Sequence, residues 1–200
     1  MQFLDKIRQR KGLVIVLSAP SGAGKDAVLE ELMQMCPDIT RCITVTTREK
    51  RAGEENGKDY YFVSVDEFEK MKQRGEFLEY AAVYGSMYGT PKQWVLDQAA
   101  AGKDVILKID VQGGAAVRRE IPEAVMIFLL PPSMEELERR LRNRMTESED
   151  EIARRLAEAQ KEIEQIGIYD YAVINDSVEE AAKKLRCIVV AERCRIKIQQ

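Results

Sequence analysis

The stretch that decides the fold is Gly12-Leu-Val-Ile-Val-Leu-Ser18-Ala-Pro-Ser-Gly-Ala-Gly-Lys25-Asp26. Its first part, through Ser18, is a β-branched apolar run typical of a strand buried on both faces. A glycine-rich turn follows, and from Asp26 the apolar spacing predicts a helix that ends at Cys36-Pro37. Strand, glycine loop and helix in direct succession favour an α/β fold.

Two further apolar runs extend this pattern. The runs 105–110 and 125–130 are separated by a predicted helix over about 114–120, and such strand–helix–strand units place their strands in parallel. The run Tyr171–Ile174 predicts a last short strand, and 178 to about 198 predicts a long terminal helix. The sequence therefore predicts a three-layer α/β core with a parallel sheet.

A section of different character interrupts this core. Over 44–91, short alternating apolar runs stand between turn-forming glycines, and Ser64-x-x-Glu67 marks the start of a short helix. We therefore expect a small mixed α/β lobe, partly antiparallel, over 44–91, inserted into a core formed by 1–43 and 92–200. The same Ser-x-x-Glu spacing predicts helix starts at Ser133, Ser148 and Ser177.

The composition limits the possible functions. The chain has 200 residues, of which 45% are hydrophobic, so we expect one domain with a sizeable core. A net charge of −3 offers no basic field to nucleic acid or an anionic membrane, and no apolar run approaches the ~20 residues of a membrane span. Cysteines without a CxxC pair and no predicted leader indicate a soluble protein of the reducing cytoplasm. The absence of histidine excludes histidine-based acid–base catalysis and histidine-ligated metals.

The glycine loop has the chemistry of a phosphate site. It nearly fits G-x-x-x-x-G-K-[ST], a motif whose small residues let backbone N–H groups converge on phosphate at a helix N-terminus. Lys25 brings a cation to the transferable phosphates of ATP. Ala19 replaces the first glycine, and Asp26 replaces the usual hydroxyl residue. We interpret Asp26 as a Mg²⁺ ligand, although the helix dipole alone would also favour an acid there. The predicted ATP-binding residues are Ala19, Pro20, Ser21, Gly22, Ala23, Gly24, Lys25, Asp26 and Ala27.

Two other features bear on phosphoryl transfer. Asp110 follows the second predicted core strand, where an acid opposite a phosphate loop can hold a Mg²⁺-bound water, although many strands end in Asp for turn reasons alone. The segment 138–155 is rich in arginine, and its simplest interpretation is a solvated helical face with ion pairs along it.

Longer stretches of the chain closely resemble guanylate kinase, a family of P-loop nucleoside monophosphate kinases. The resemblance extends from about residue 13 to 193 and implies the reaction ATP + GMP ⇌ ADP + GDP, with Mg²⁺ accompanying ATP. The stretches that carry it are Thr44-Val-Thr-Thr-Arg48-Glu-Lys-Arg51, Asp59-Tyr-Tyr-Phe62, Glu76-Phe-Leu-Glu79, Tyr88-Gly-Thr90, Ile109-Asp-Val-Gln-Gly113, Pro131-Pro-Ser133, Arg139-Arg-Leu-x-x-Arg144 and Val173-Ile-Asn-Asp176.

The resemblance also implies site residues. It implies that Asn175 lies near the adenine of ATP, although a turn asparagine before a helix is an equally good interpretation. A closing arginine lid over about 139–160 would supply cations to the transferred group. The implied GMP-binding residues are Thr44, Arg48, Arg51, Tyr60, Glu79, Tyr88, Gly89 and Thr90, and the implied catalytic residues are Lys25, Arg140, Arg144 and Arg155.

The chemistry of these side chains is consistent with those roles. Arginine forks such as Arg48 and Arg51 suit a phosphate monoester. The carboxylate of Glu79 can accept from N1–H and the exocyclic amine of guanine together, and adenine offers no such pair of donors. Simpler interpretations stay open at this point: a surface patch for the two arginines, strand positions for Tyr60 and Tyr88, and a helix N-cap for Thr90.

The chain also departs from the family pattern. Lys108 stands where the family often has an acid, and Met145 stands where the pattern has glycine after an arginine. Two other functions therefore remain open. One is a small-molecule kinase acting on ribose 1,5-bisphosphate, whose family shares the Gly-Lys-Asp loop ending; the other is a catalytically silent module that binds a phosphorylated peptide. The terminal helix has an apolar face for the core or for a second subunit, which leaves a homodimer open.

Overall fold

A computed structural model of the chain describes residues 11–83, 85–143 and 148–196. The main sheet contains the four predicted core strands and a fifth, Ile39–Arg41, that the sequence pattern did not indicate. Its two outer pairs, Ile39–Arg41 with Asp104–Lys108 and Val125–Leu130 with Tyr171–Ile174, are parallel. The predicted α/β fold with a parallel sheet is thereby confirmed. The strands are β1 (Val14–Ser18), β2 (Ile39–Arg41), β7 (Asp104–Lys108), β8 (Val125–Leu130) and β9 (Tyr171–Ile174), in the order β2-β7-β1-β8-β9.

The helices begin where the sequence places hydroxyl caps. Ser64, Ser133, Ser148 and Ser177 each accept a hydrogen bond from the backbone N–H three residues further on, so the predicted helix starts are confirmed. At Ser148 the bond is reciprocal, because the Glu151 carboxylate also accepts from its N–H at 2.9 Å. The helices are α1 (Lys25–Met35), α2 (Val65–Gln73), α3 (Lys92–Ala100), α4 (Val111–Glu120), α5 (Met134–Arg142), α6 (Glu149–Glu164) and α7 (Val178–Cys194).

Two helix boundaries differ from the prediction. Helix α4 begins at Val111 rather than near 114, because the carboxylate of Asp110 caps it and accepts from the N–H of Gly113 at 2.8 Å. Helix α7 ends at Cys194 rather than near 198. The N–H of Arg195 closes the last turn on the carbonyl of Glu192, and the backbone of Arg195 is extended.

A second, mixed sheet lies within the predicted insertion. Strands β3 (Val45–Thr46), β4 (Tyr61–Phe62), β5 (Phe77–Val83) and β6 (Ser86–Pro91) have the order β4-β3-β6-β5. Strand β6 pairs antiparallel with both β3 and β5, whereas β3 and β4 are parallel. The ring of Phe68 on α2 stacks on Phe77 of β5 at 4.5 Å and closes a small apolar cluster on this sheet.

The described part of the chain divides by its internal contacts into two compact units. One contains 11–15 and Ile39–Ala124, and the other contains Val16–Asp38 and 125–196. The predicted lobe boundaries, at 43/44 and 91/92, stay a prediction from the sequence. No helix among the described residues is long and apolar enough to cross a membrane.

In the first unit, a buried side chain joins the start of β1 to the start of β7. The carboxylate of Asp104 accepts from the N–H of Leu13 at 2.7 Å, and Asp104 is almost fully buried. Because a buried N–H without a partner is costly, this hydrogen bond stabilises the point at which the chain enters β1.

We predict that Asp104→Ala lowers the free energy of unfolding by about 1–3 kcal/mol, because it leaves the N–H of Leu13 buried without its acceptor. Urea unfolding followed by circular dichroism measures the change. Asp104→Asn is the control, because its amide oxygen can still accept from Leu13. Equal losses in the two variants would contradict the assigned role of the hydrogen bond.

Candidate functional site

The glycine loop between β1 and α1 has two left-handed residues. Gly22 and Gly24 have φ angles of 91° and 89°, a region in which side chains are strained. A Cβ atom on Gly24 would lie 2.5 Å from the Nδ2 atom of Asn175, so space also requires glycine there. Lys25 and Asp26 open α1 directly after the loop, as the motif requires.

Asn175 and Arg140 hold this loop from the same unit. The Nδ2 group of Asn175 donates to the carbonyl of Ala23 at 2.7 Å, and Asn175 is 2% exposed. Arg140 donates to the same carbonyl at 3.3 Å and to the Asn175 carbonyl at 3.1 Å. The simple turn interpretation of Asn175 is therefore insufficient, since its side chain ties the end of β9 to the loop.

The arginine-rich helix α5 has two kinds of arginine. Arg139 and Arg142 form exposed ion pairs with Glu136 and Glu138, as expected for a solvated face. Arg140 differs because it also reaches the glycine loop. Hydrogen bonds from Arg139 and then from Arg140 lower the pKa of Glu136 to about 2. This carboxylate therefore stays charged and orients Arg140 across the physiological pH range.

A pocket of about 400 Å³ opens beside the loop. The Oδ1 atom of Asn175 is buried and has no hydrogen-bond partner within the described ranges. Arg155 is half-buried on α6 and does not belong to the lining formed by the described residues. Arg144 and Met145 lie outside the described residues. The pocket is lined by Gly22, Gly24, Arg140, Asn175, Asp176, Ser177 and Val178.

In the other unit, three of the predicted phosphate-binding residues cluster. The Arg48 guanidinium lies 5.4 Å from the centroid of the Tyr60 ring, and the Tyr60 and Tyr88 rings meet edge to face at 5.9 Å. Hydrogen bonds to Glu54, at 2.7 Å, and to Tyr88 raise the pKa of Arg48. Lys108 adds a second cation, because its ammonium lies 5.5 Å from the Tyr60 ring centroid.

Other residues of the predicted GMP set occupy different surroundings. Arg51 is exposed, and its backbone N–H donates to the carboxylate of Glu54 at 2.8 Å. Thr44 is buried, and its carbonyl accepts from the N–H of Tyr61. Gly89 has a structural reason to be glycine, since a Cβ there would lie 2.7 Å from the Phe77 ring. Sequence reasoning missed Glu54, because no periodic pattern links loop residues six positions apart.

Glu79 and Thr90, two further residues of the predicted GMP set, form a buried pair in the same unit. They face each other across β5 and β6, and the Thr90 hydroxyl donates to the Glu79 carboxylate. Thr90 therefore lies in a strand, and its interpretation as a helix N-cap is wrong, since Pro91 precedes α3. Glu79 is 5% exposed. Burial, and then the charge of Asp110, raise its pKa to about 7, although the Thr90 bond opposes the rise.

Two neighbours of Glu79 matter for its electrostatics. Asp110 caps α4 and adds negative charge near Glu79. This predicted metal ligand therefore belongs to the same unit as Glu79. Burial, and then the charge of Glu79, raise the pKa of the Cys42 thiol to about 12, which keeps the thiol protonated. Sequence reasoning missed the proximity of Cys42 to Glu79, because the two residues meet only through the folded sheets.

Comparisons with known proteins identify the family of this chain. The family model described as guanylate kinase matches residues 11–192. A guanylate kinase of Myxococcus xanthus is 55% identical over 92% of this chain and 88% of its own length, and one of Caldanaerobacter subterraneus is 48% identical over 94% and 91%. The crystal structure of guanylate kinase from Anaplasma phagocytophilum aligns with a TM-score of 0.80 at 37% identity, covering 94% of this chain and 89% of that one.

The fold and the sites together define a class of protein. A parallel sheet with a glycine loop and lysine at one helix start, and a second unit with clustered arginine, tyrosine and a buried carboxylate, are the parts of a nucleoside monophosphate kinase, a phosphotransferase. Within that class, the chain belongs to the guanylate kinase family.

The raised pKa of Glu79 gives a prediction for stability. Between about pH 4.5 and about pH 7 the unfolded chain ionises Glu79 while the folded chain keeps its proton, so the free energy of unfolding falls as the pH rises. The uncharged variant Glu79→Gln escapes this loss. We expect it to gain about 3 kcal/mol relative to wild type on going from pH 5 to pH 8.

Urea unfolding at several pH values measures this difference. Glu76→Gln, which removes an exposed carboxylate one residue before β5, is the matched control and should follow the wild-type curve. Parallel pH curves for wild type and Glu79→Gln would contradict the assigned burial of a titrating carboxyl group.

Proposed function

We propose that the chain transfers the terminal phosphoryl group of ATP to GMP and forms ADP and GDP. The observation that carries this proposal is the buried carboxylate of Glu79, held by the Thr90 hydroxyl. Burying a carboxylate is costly unless donors satisfy it. Guanine supplies two such donors, N1–H and the exocyclic amine, whereas the N1 of adenine is an acceptor. This contrast supports guanine as the acceptor base.

The cations near Tyr60 are suited to bind the phosphate group of GMP. Arg48 is a fork donor already oriented by Glu54, and the hydroxyl groups of Tyr60 and Tyr88 can add neutral donors. Arg51, Thr44 and Gly89 complete the predicted GMP set. Lys108 keeps its ammonium on the Tyr60 ring, so its departure from the family pattern leaves the acceptor phosphate site more positive.

ATP fits the glycine loop and the pocket beside it. Backbone N–H groups at the start of α1 favour the phosphates, with Lys25 as the nearby cation. Asn175 lines this pocket, so its side-chain amide would lie close to the adenine of bound ATP. The predicted ATP set therefore comprises the loop residues Ala19 to Ala27 together with Asn175.

The residues are consistent with a magnesium ion that arrives with ATP. Within the described ranges, no group of three or more histidine, cysteine or acidic residues could hold a metal ion. Mg²⁺ typically binds through one or two carboxylates together with substrate phosphates. Asp26, exposed on the first turn of α1, is the carboxylate that would hold the ion beside the glycine loop, and Asp110 stays a predicted ligand. When bound, Mg²⁺ would neutralise charge on the phosphates.

The chemistry then needs positioning and positive charge, without a covalent intermediate. An oxygen of the GMP phosphate attacks the terminal phosphorus of ATP, and the bond from that phosphorus to the bridging oxygen breaks, which releases ADP. Charge accumulates on the transferred group, and Lys25 and Arg140 would stabilise it. Arg144 and Arg155 remain predicted helpers in a closing lid. A homodimer through α7 and a cytoplasmic location also stay predictions.

The test is ADP formation from Mg-ATP, measured with GMP, AMP, UMP and ribose 1,5-bisphosphate in parallel. We expect turnover with GMP alone. Turnover with the sugar bisphosphate alone would show instead that the Gly-Lys-Asp loop ending decides the substrate. Silence with all four acceptors would favour a binding module.

The role of Glu79 gives a second test. We predict that Glu79→Gln raises the KM for GMP about 100-fold, because one of two charge-assisted hydrogen bonds is lost and its partner meets a like donor. The KM for ATP should change little. Tyr80→Phe is the matched control, because Tyr80 is the next residue of β5 and is exposed. Equal increases in both KM values would argue against guanine recognition by Glu79.

The role of Asp26 gives a third test. We predict that Asp26→Ala raises the Mg²⁺ concentration for half-maximal turnover about tenfold, because a hard oxygen ligand is lost. Asp26→Ser should largely restore the requirement, since serine supplies the hydroxyl of the usual motif. Glu30→Ala, which removes another exposed carboxylate of α1, is the control. An unchanged Mg²⁺ requirement in Asp26→Ala would show that Asp26 only stabilises the helix.

A further inference from the structure

Gly113, in the first turn of α4, packs directly against the carboxylate of Glu79. A Cβ atom at this position would lie 2.6 Å from the Oε2 atom of Glu79 and 3.0 Å from its Cδ atom. It would also lie 3.2 Å from the Oδ1 atom of Asp110. Because heavy atoms do not approach this closely without a bond, any side chain at position 113 would displace the Glu79 carboxylate.

The backbone itself does not require glycine here. Gly113 is not among the glycines with positive φ, and it lies within a regular helix. Glycine is unfavourable inside a helix relative to alanine, because it loses more conformational freedom on folding. Local helix stability therefore favours alanine at this position, and the space occupied by Glu79 favours glycine.

The carboxylate is also fixed on its other side. Its Oε1 atom accepts from the Thr90 hydroxyl, and the pairing of Glu79 with Thr90 across β5 and β6 sets where that hydroxyl lies. A methyl group at position 113 would push Oε2 while Thr90 holds Oε1. The carboxylate would then rotate or move away from α4, and its two oxygens would no longer keep their present orientation.

We infer that Gly113 is a positioning residue for base specificity, because its missing side chain is the space in which the Glu79 carboxylate is oriented toward guanine. This inference rests on the proposed function for the nature of the base. The contact between Gly113 and Glu79 stands independently of any substrate, and the two parts can be tested separately.

The first experiment is a double-mutant cycle of thermal unfolding without nucleotide. We expect Gly113→Ala to lower the Tm of the wild-type chain, because the new methyl group collides with the carboxylate. In the Glu79→Ala background the same substitution should no longer lower the Tm by this amount, since the collision with the carboxylate is gone, alanine is the better helix former and only the 3.2 Å approach to the Oδ1 atom of Asp110 remains. A Gly113→Ala effect of the same sign and size in both backgrounds would overturn the inference, even if GMP is not the substrate.

The second experiment uses steady-state kinetics with GMP and ATP varied in turn. Gly113→Ala should raise the KM for GMP about 10-fold to 100-fold, the loss expected for a hydrogen bond to a charged group, with the KM for ATP little changed. In the Glu79→Ala background it should cause no further increase. Gly167→Ala is the matched control, because a Cβ there meets nothing within 4 Å.

The outcomes separate the two proposals. A KM for GMP that Gly113→Ala leaves unchanged, in a chain that does phosphorylate GMP, would overturn the specificity role. A further rise in KM in the Glu79→Ala background would also overturn it, since the effect would not pass through Glu79. A wild-type chain inactive with GMP would refute the proposed function, while the unfolding cycle would still decide the contact.

Discussion

The buried carboxylate of Glu79 is the constraint on which the unit containing Ile39–Ala124 depends. Placing a carboxylate at this depth is unfavourable, and burial is the main cause of its raised pKa. Every element around it has a role in tolerating the group: β6 supplies the Thr90 hydroxyl, and α4 supplies the space at Gly113. Sites that destabilise the unliganded protein in this way are common where binding is specific, because the ligand supplies the missing donors.

The unit that contains the glycine loop has a different constraint. Its loop must hold a left-handed backbone rather than a buried charge. Glycine adopts the left-handed region without strain, but fixing its backbone costs more conformational entropy than fixing that of any other residue. Here the carbonyl of Ala23 receives hydrogen bonds from both Asn175 and Arg140, which come from β9's end and from α5. The loop is therefore shaped before a phosphate arrives, and less ordering is required on binding.

Local patterns allowed much of this architecture to be predicted. The strand before the glycine loop, the serine caps and the three other predicted core strands follow from neighbouring residues, so their prediction needed no knowledge of the fold. Strand β2 was missed, and its parallel pairing with β7 is a long-range contact. The predicted helix boundaries were wrong where a residue at the helix end makes a capping hydrogen bond. Helix α4 starts early because Asp110 caps it, and α7 ends early because Arg195 turns back on Glu192.

The site was predicted in part for a related reason. Arg48, Glu79 and Thr90 were named from the resemblance, but Glu54 and Gly113, which contact Arg48 and Glu79, were not assigned to the site. Glu54 reaches Arg48 across an irregular loop, and Gly113 reaches Glu79 from a helix more than thirty residues further along the chain. Contacts of this kind have no periodicity in the sequence, and only the packed structure shows that a glycine is conserving space for a carboxylate rather than shaping a turn.

Arg140 and Glu136, beside the glycine loop, differ from Glu79 in how their charges respond to pH. Arg140 is a guanidinium, which keeps its charge, and Glu136 beside it stays ionised down to a pKa of about 2. Glu79 instead changes charge near neutrality, a range that most proteins assign to histidine, which this chain lacks. A modest acidification of the surroundings would therefore protonate Glu79 and leave the charges of Arg140 and Glu136 unchanged.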